Sequence, residues 1–226
     1  MIGIFDSGVG GLCACKEVRR LLPREDILFL ADRKNAPYGT KSKDEILKFT
    51  KNNIKLLRKL GADKILIACC TASSLYNLLS HSEREIATPI ITPAARLAAE
   101  SGGRVAVIAT NHTVKSHAFS REIGKNSPTP ITEMAEQQLV ALVERGNRDG
   151  RLDSECREYL RRLAVRIRAS EAEVLILGCT HFSHLEYEIG RLLPDVKIIS
   201  PAREGAKEIV KKINPNRKEN GKDVYM

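Results

Sequence analysis

The sequence predicts an α/β fold of βα units around mainly parallel sheets, in which the two halves of the chain resemble each other. Three observations lead to this prediction. Short apolar runs rich in β-branched residues alternate with longer amphipathic stretches, which is the pattern of βα units. Two predicted strand ends carry matching cysteine segments, and the first predicted strand resembles another in the middle of the chain. A chain of 226 residues is long enough for two small domains with their own cores.

Seven short apolar segments are predicted as strands, because each is flanked by turn-forming residues or by an amphipathic stretch. Their nearly continuous apolar character is typical of parallel strands that are covered on both faces. The segments are Ile2 to Phe5, Ile27 to Ala31, Lys64 to Ala68, Pro89 to Thr92, Arg104 to Ala109, Glu173 to Leu177 and Val196 to Ile199.

Helices are predicted between these strands. The clearest begins at Ser42, which starts a capping box with an acidic residue three positions later, and it ends at Gly61. A turn is predicted over Asn147 to Gly150, followed by a helix with a charged, solvent-facing side that reaches Arg168. The tail from Asn214 to Met226 is rich in Asn, Lys and Pro, so we expect it to be frayed.

Two internal similarities suggest that the halves of the chain are related. Ile65 to Thr71 resembles Leu175 to His181, and both segments are a buried strand that ends in a cysteine followed by hydroxyl-bearing residues. Gly3 to Ser7 resembles Ala106 to Thr110 in the same way. Because buried parallel strands resemble one another in any protein, these similarities alone leave open both a shared architecture and a chance match.

The composition predicts a soluble cytoplasmic protein that binds small molecules. The net charge is +9, but the basic residues are scattered and not interleaved with aromatic ones, so nucleic acid is not expected as the primary partner. The positive field favours anionic small molecules instead. The longest apolar runs are too short to span a membrane. In a reducing compartment the six cysteines are expected to be free thiols.

Cys69 and Cys179 are the leading candidates for chemistry, because ligands of open parallel sheets bind beyond the carboxyl ends of the strands. Each cysteine also precedes a predicted helix, whose free amides can lower the pKa of a thiol. One such cysteine alone is more typical of a small buried residue. Three other cysteines are expected to lie within helices and to contribute only packing, namely Cys13, Cys15 and Cys156. The spacing of Cys and His residues predicts no metal site.

Two further residues stand beside these strand ends. Asp6 is the first residue of a glycine-rich segment that ends at Gly11. The glycines of this segment do not have the spacing of a dinucleotide-binding or phosphate-binding loop. An acid at the end of an apolar strand either caps a helix or belongs to a site, and the sequence leaves both interpretations open. His181 follows Cys179 by two residues and is able to exchange a proton with a ligand there, or to form only a local hydrogen bond.

Taken together, these motifs resemble the glutamate racemases of the aspartate/glutamate racemase superfamily. The resemblance extends along nearly the whole chain and depends on six blocks in order, each of which is weak on its own. The blocks are Phe5 to Leu12, Pro37 to Ser42, Ala68 to Ser73, Val107 to Thr110, Leu142 to Glu144 and Leu177 to Phe182.

The resemblance implies a cofactor-independent racemase that interconverts L- and D-glutamate for peptidoglycan synthesis, acting as a homodimer. It implies that Cys69 and Cys179 are the catalytic acid and base on opposite faces of the substrate, with Asp6, His181 and Glu144 beside them. The implied substrate-binding residues are Asp6, Ser7, Tyr38, Gly39, Cys70, Thr71, Thr180 and His181. The implied fold has two pseudo-symmetric α/β domains with mainly parallel sheets and the active site in the cleft between them. The implied domains are residues 1–92 together with 201–226, and residues 93–200.

One departure from the family pattern affects the substrate. The family usually has Asn after its first catalytic cysteine, where it helps to hold a carboxylate, whereas this chain has Cys70. A thiol is a much weaker hydrogen-bond partner than an amide. This substitution keeps two alternatives open, namely a racemase for aspartate or another amino acid, and a catalytically weak homologue that acts as a binding protein.

Overall fold

The computed structural model describes residues 1–146, 152–213 and 221–226. Strands and helices alternate along most of this length. The strands are β1 (Ile2–Asp6), β2 (Ile27–Ala31), β3 (Lys64–Ile67), β4 (Ala87–Pro89), β5 (Val105–Ala109), β6 (Ile131–Ala135), β7 (Val174–Gly178), β8 (Lys197–Ile199) and β9 (Asp223–Tyr225). The helices are α1 (Leu12–Leu21), α2 (Lys43–Lys59), α3 (Cys70–Ser73), α4 (His81–Ile86), α5 (Ile91–Ser101), α6 (Asn111–Lys115), α7 (Ala118–Gly124), α8 (Gln137–Gly146), α9 (Ser154–Ala169), α10 (Glu186–Leu192) and α11 (Pro201–Val210).

The strands form two parallel sheets with matching order. The first sheet has the order β4-β3-β1-β2-β9, and the second, taken from its β8 edge, has the order β8-β7-β5-β6. Strand β1 is therefore the counterpart of β5, and the strands on either side of each also correspond. This arrangement confirms the predicted α/β class with two similar sheets.

The strand registers relate individual residues of the two halves. Phe5 pairs with Ile67, and continuing this register places Ser7 opposite Cys69. Ala109 pairs with Gly178, and the same continuation places Thr110 opposite Cys179. Ser7 thus corresponds to Thr110 and Cys69 to Cys179. Both predicted internal similarities therefore reflect equivalent positions in the two sheets.

Helices with small side chains fill the space between the sheets. One core cluster combines residues of β1 and β3 with residues of β5 and β7, and the helices α1, α5, α7 and α11 contribute to it. Alanines such as Ala94, Ala98 and Ala206 are fully buried there. Small side chains let the helices approach both sheets closely, so the two halves share an apolar layer. Separate clusters cover the outer faces of the sheets.

The predicted helix boundaries at Ser42 and Gly61 are confirmed. Ser42 accepts a hydrogen bond from the backbone of Glu45, whose side chain accepts one in return from the Ser42 backbone. Gly61 has φ +96, a left-handed conformation that favours glycine just beyond a helix. Cys13 and Cys15 lie in α1, and Cys156 lies in α9, as expected.

The predicted strand from Pro89 to Thr92 is wrong in part. Strand β4 ends at Pro89, and α5 already begins at Ile91. The β-branched residues Ile90 and Ile91 favour a strand locally, but both are buried in the shared apolar layer at the start of this helix. Tertiary packing therefore outweighs their β-propensity.

Strands β6 and β9 were not predicted. Strand β6 lies at a sheet edge and is only partly buried, and β9 is exposed, so neither has a continuous apolar run. The prediction of a frayed tail is wrong for residues 221–226, because β9 pairs with β2. The turn predicted over Asn147 to Gly150 lies outside the described residues. Residues 214–220 of the predicted tail lie outside them as well.

The proposed domain boundary between Thr92 and Pro93 falls inside α5, so the division into domains stays a prediction.

Among the described residues, no helix is long and apolar enough to cross a membrane.

Candidate active site

A small inner cavity lies where the carboxyl ends of the central strands of both sheets meet. The first half of the chain contributes Cys69, and the second half contributes Cys179, to the wall of this one cavity. Cys179 directly follows β7, Cys69 follows β3 after Ala68, and both cysteines are almost fully buried. The complete lining is Ser7, Pro37, Tyr38, Gly39, Cys69, Cys70, Thr71, Thr110, Gln137, Val140, Cys179, Thr180 and His181.

Cys69 lies in an environment that favours its protonated form. Its Sγ donates to Ser7 Oγ at 3.6 Å. Burial, together with the nearby carboxylate of Asp6, raises the pKa of the Cys69 thiol to about 12. The helix after this cysteine, α3, is only four residues long. The expectation that a helix N-terminus lowers this thiol's pKa is therefore wrong, because desolvation and a negative neighbour outweigh the free amides.

Asp6 is fully buried at the end of β1, beside Cys69. Its Oδ2 accepts hydrogen bonds from the backbone amides of Gly8 at 3.2 Å and Gly11 at 3.0 Å. Burial raises the pKa of the carboxyl, although His181 and the two amides oppose that shift. The sequence left open whether Asp6 caps a helix or belongs to a site. In the structure Asp6 holds the turn before α1 without being its N-cap, and it lies behind the cavity wall beside Cys69, so its role in a site stays a prediction.

Cys179 has a basic neighbour where Cys69 has an acidic one. Its Sγ lies 3.7 Å from Nδ1 of His181. On the other side of the ring, Nε2 lies 3.0 Å from Oε1 of Glu144. The ring N–H is not aligned with that oxygen, so the contact is an ion pair and not a directed hydrogen bond.

These contacts control the charge of His181. Burial disfavours the imidazolium, but the Cys179 sulfur and the Glu144 carboxylate outweigh it and raise the pKa of His181 to about 11. His181 is therefore positively charged at neutral pH. A positive charge beside a sulfur stabilises negative charge on it. The two cysteines thus lie in electrostatic environments of opposite sign.

A cluster of threonine hydroxyls lies between the two halves of the site. Thr71 Oγ1 is 3.0 Å from Thr110 Oγ1 and 3.4 Å from Thr113 Oγ1. Thr110 also caps α6 by accepting from the Thr113 backbone amide. The cluster connects the segment after β3 to the segment after β5, so it links the two sheets at the cavity wall.

Tyr38 is held in the cavity wall by two polar side chains. Its hydroxyl donates to Asp32 and accepts from Nδ2 of Asn53 at 3.0 Å. Burial and the Asp32 carboxylate raise the pKa of Tyr38, so it stays protonated. Asp32 follows β2 directly, and this arrangement was not predicted from the sequence.

Close backbone approach explains two glycines of the site. A Cβ atom at Gly10 would lie 2.7 Å from Thr180 Oγ1, and one at Gly39 would lie 2.5 Å from Gln137 Oε1. Any larger residue would push apart segments from the two halves. Both glycines thus allow the halves to close over the cavity.

Cys70 lines the cavity, but its side chain forms no hydrogen bond with any described residue. Its side chain is almost fully buried and packs in the shared apolar layer. Burial raises its pKa well above the ordinary value. Cys70 therefore contributes a neutral, weakly polar wall.

The inner cavity is closed to a ligand of amino-acid size. Its volume is about 20 Å³, which is room for roughly one water molecule. An outer cavity of about 580 Å³ adjoins it and shares Pro37 and His181 with it. The outer cavity is also lined by Gly8, Val9, Arg33, Ala36, Val143, Glu144 and His184. A ligand that enters here meets basic side chains before it reaches the thiols, and the site must open to admit it.

Every residue predicted for the site except Glu144 and Asp6 lines the inner cavity, and those two contact residues that do. Sequence reasoning missed Thr110 and Gln137 as lining residues. Gln137 follows β6, an edge strand without a clear apolar pattern, whereas Thr110 could have been found as the counterpart of Ser7. Among the described residues, no group of three or more His, Cys, Asp or Glu side chains is arranged to hold a metal.

Known proteins share this sequence and architecture. Residues 15–209 match the Asp/Glu/Hydantoin racemase family. The chain is 35% identical over 221 residues to a glutamate racemase from Gloeobacter violaceus, covering 96% of this chain and 82% of that protein.

Two crystal structures extend the similarity to the fold. A glutamate racemase isoform from Bacillus anthracis matches 100% of this chain and 86% of its own with a TM-score of 0.86 and 28% identity. A glutamate racemase from Francisella tularensis, in complex with D-glutamate, matches 99% of this chain and 86% of its own with a TM-score of 0.86 and 29% identity.

Proposed function

This chain belongs to the Asp/Glu/Hydantoin racemase family, and from that premise we propose that it interconverts L- and D-glutamate by proton transfer between two thiols. The observation that carries the proposal is the pair of cysteines at equivalent strand ends, which contribute to one cavity from opposite halves. Inverting a stereocentre by moving a proton needs a base on one face and an acid on the other. Two related halves that face each other supply these groups.

The different surroundings of the two sulfurs support different roles for them in this proposal. Cys69, with Asp6 beside it, is the thiol that donates a proton. Cys179, with the His181 imidazolium 3.7 Å from its sulfur, is the group that we propose removes the α-proton. After one turnover the proton from the α-carbon is on Cys179, and Cys69 has given its proton to the opposite face. The reverse reaction exchanges these roles.

Charge on the reacting carbon is stabilised by fixed groups of the cavity. Loss of the α-proton leaves a carbanion whose charge spreads into the adjacent carboxylate. The His181 imidazolium and the Ser7 hydroxyl, which accepts from Cys69, are donors already held in place. In a cavity too small for bulk water, such preorganised donors act more strongly than they do in solution.

Exchange in heavy water tests the proposal directly. The purified protein is incubated with L- or D-glutamate in D2O without added cofactor, while optical rotation and the α-proton NMR signal are followed. We expect rotation to decay to zero with incorporation of deuterium at the α-carbon from either enantiomer. Absence of both signals, in protein shown to be folded by circular dichroism, would overturn the proposal.

The same assay with L-aspartate tests the alternative that Cys70 suggests. Because Cys70 places a thiol and not an amide in the cavity wall, an acidic substrate other than glutamate is compatible with this wall. We expect the kcat/KM for glutamate to exceed that for aspartate. The opposite order would identify an aspartate racemase, and exchange with no amino acid would favour a binding protein.

The cellular context follows from the family resemblance. We propose that the chain supplies D-glutamate for peptidoglycan in the cytoplasm and that it acts as a homodimer. Light scattering coupled to size-exclusion chromatography tests the dimer, for which a mass near 50 kDa is expected as roughly twice the chain mass of 25.1 kDa.

A further inference from the structure

We infer that Gln137 binds a carboxylate of the substrate and thereby determines its affinity. This inference rests on the proposed function, because it takes an acidic amino acid as the ligand. Gln137 begins α8, two residues after the end of β6, and its side chain lines the inner cavity from the second half of the chain. It is the only residue with a side-chain amide among the residues that line that cavity.

The inner cavity has few positive or donating groups for a substrate with two carboxylates. Of its lining residues, only His181 carries positive charge. Several hydroxyls are already used, since Tyr38 donates to Asp32 and Thr180 donates to Asp6. Thr71 and Thr110 share hydrogens within their own cluster. The cavity therefore needs a further donor for an anionic substrate.

Gln137 has unused donors and a fixed position. Its Oε1 accepts from the backbone amide of Asn111 at 3.4 Å and lies against Gly39. Among the described residues, no acceptor receives a hydrogen from its Nε2. An amide whose oxygen is anchored keeps both N–H groups for a ligand.

The residue before Gln137 strengthens this positioning. Glu136 is almost fully buried and accepts from the Tyr159 hydroxyl at 2.5 Å and from Arg166 at 2.6 Å. Its backbone amide also donates to Ala109 at 2.8 Å. These bonds hold the start of α8 between β5 and α9, so the Gln137 side chain projects from a rigid support.

The cavity wall at Cys70 offers no comparable donor. The Cys70 side chain forms no hydrogen bond within the described residues, and a thiol is a weak donor. Gln137 supplies an amide to the same cavity from the other half of the chain.

Steady-state kinetics of three variants tests this inference. Gln137→Leu removes the amide. Gln137→Glu keeps the volume and the acceptor for Asn111, but it loses both donors and adds a negative charge. Gln138→Leu is the matched control, because this neighbouring glutamine is exposed.

We expect Gln137→Leu to raise the KM for glutamate by about 10- to 100-fold, the range for a hydrogen bond to a charged group, with kcat within about threefold. Gln137→Glu should raise KM at least as much, and Gln138→Leu should leave both constants unchanged. A purely structural role predicts that Gln137→Glu resembles wild type, and that result would overturn the inference. An inactive wild type would instead refute the proposed function.

Discussion

The two cysteine-bearing halves of the site share one backbone arrangement but differ in charge. Ser7 and Thr110 occupy equivalent places opposite Cys69 and Cys179. Asp6, one residue before Ser7, corresponds to Ala109, which carries no charge. The repeated architecture thus places two thiols alike, and the individual residues around them create the difference in charge.

The residues after the cysteines show the same divergence. Thr71 and His181 each lie two positions after a cysteine, but Thr71 joins a neutral hydroxyl cluster, whereas His181 carries a positive charge held by Glu144. A two-base racemase needs two proton-transfer groups at equivalent positions but in different electrostatic environments. Here the equivalent positions come from the repeated strands, and the different environments come from the neighbouring side chains.

Removing either thiol should give the largest effect. Cys69→Ala and Cys179→Ala each leave the substrate with only one proton-transfer group, so we expect racemisation in both directions to fall by about 1,000-fold or more. Polarimetry with each enantiomer measures this loss. Cys156→Ala is the control, because Cys156 is a buried cysteine in α9 that does not line the cavity. Substantial turnover in both single variants would exclude two-thiol chemistry.

Asp6→Asn should give the next largest effect, because it makes the first half neutral like the second half at Ala109. We expect kcat/KM to fall by about 100-fold. The pKa of Cys69 should also fall, since the negative charge that helps to raise it is removed. The pH dependence of alkylation by iodoacetamide, with mass spectrometry of the Cys69 peptide, measures the shift. An unchanged alkylation profile would show that Asp6 does not control this thiol.

Glu136→Gln tests the support of the second half. Glu136 loses its charge-assisted bonds with Tyr159 and Arg166, so we expect the free energy of unfolding to fall by about 1–3 kcal/mol. Urea denaturation followed by circular dichroism measures the change. Glu158→Gln removes an exposed ion pair with Arg161 and should cost less than about 1 kcal/mol. Equal losses in the two variants would contradict a supporting role for Glu136.

Glu144→Gln should give the smallest effect, because the Glu144 side chain is 56% exposed and its charge is screened by solvent. Removing this anion should lower the pKa of His181, which is about 11 in the native protein. In the wild type, the imidazole NMR signals of His181 should not change between about pH 6 and 9. In the variant, they should titrate at a lower pH than in the wild type. His184, whose pKa is lowered by burial, serves as an internal reference that titrates at lower pH. Titration of His181 near pH 6 in the wild type would contradict the assigned charge.

Much of the site could be predicted because its residues follow strongly patterned strands. Cys69 and Cys179 come directly after buried apolar runs, and the carboxyl ends of parallel strands meet at one edge of a sheet. His181 could be predicted for the same reason. Gln137 could not be predicted, because β6 is a partly exposed edge strand. Its polar residues interrupt the apolar pattern, so the sequence does not indicate where the strand ends.

Some contacts depend on distances that no local pattern encodes. The hydrogen bond from Tyr38 to Asp32 crosses a loop, and the ion pair between His181 and Glu144 joins segments far apart in the chain. The raised pKa of Cys69 depends on burial and on Asp6, which belongs to a different strand. Local reasoning from the helix N-terminus predicted the opposite shift.

The α/β class, most strands, the capped start of α2 and the two cysteines at strand ends could be predicted, because period, turn residues and local capping are encoded within a few neighbouring positions. The start of α5 at Ile91, the edge strands, the cavity position of Gln137 and the opposite charges around Cys69 and Cys179 depend on tertiary packing. Burial and electrostatics depend on which distant segments pack together, and that arrangement is a property of the whole fold.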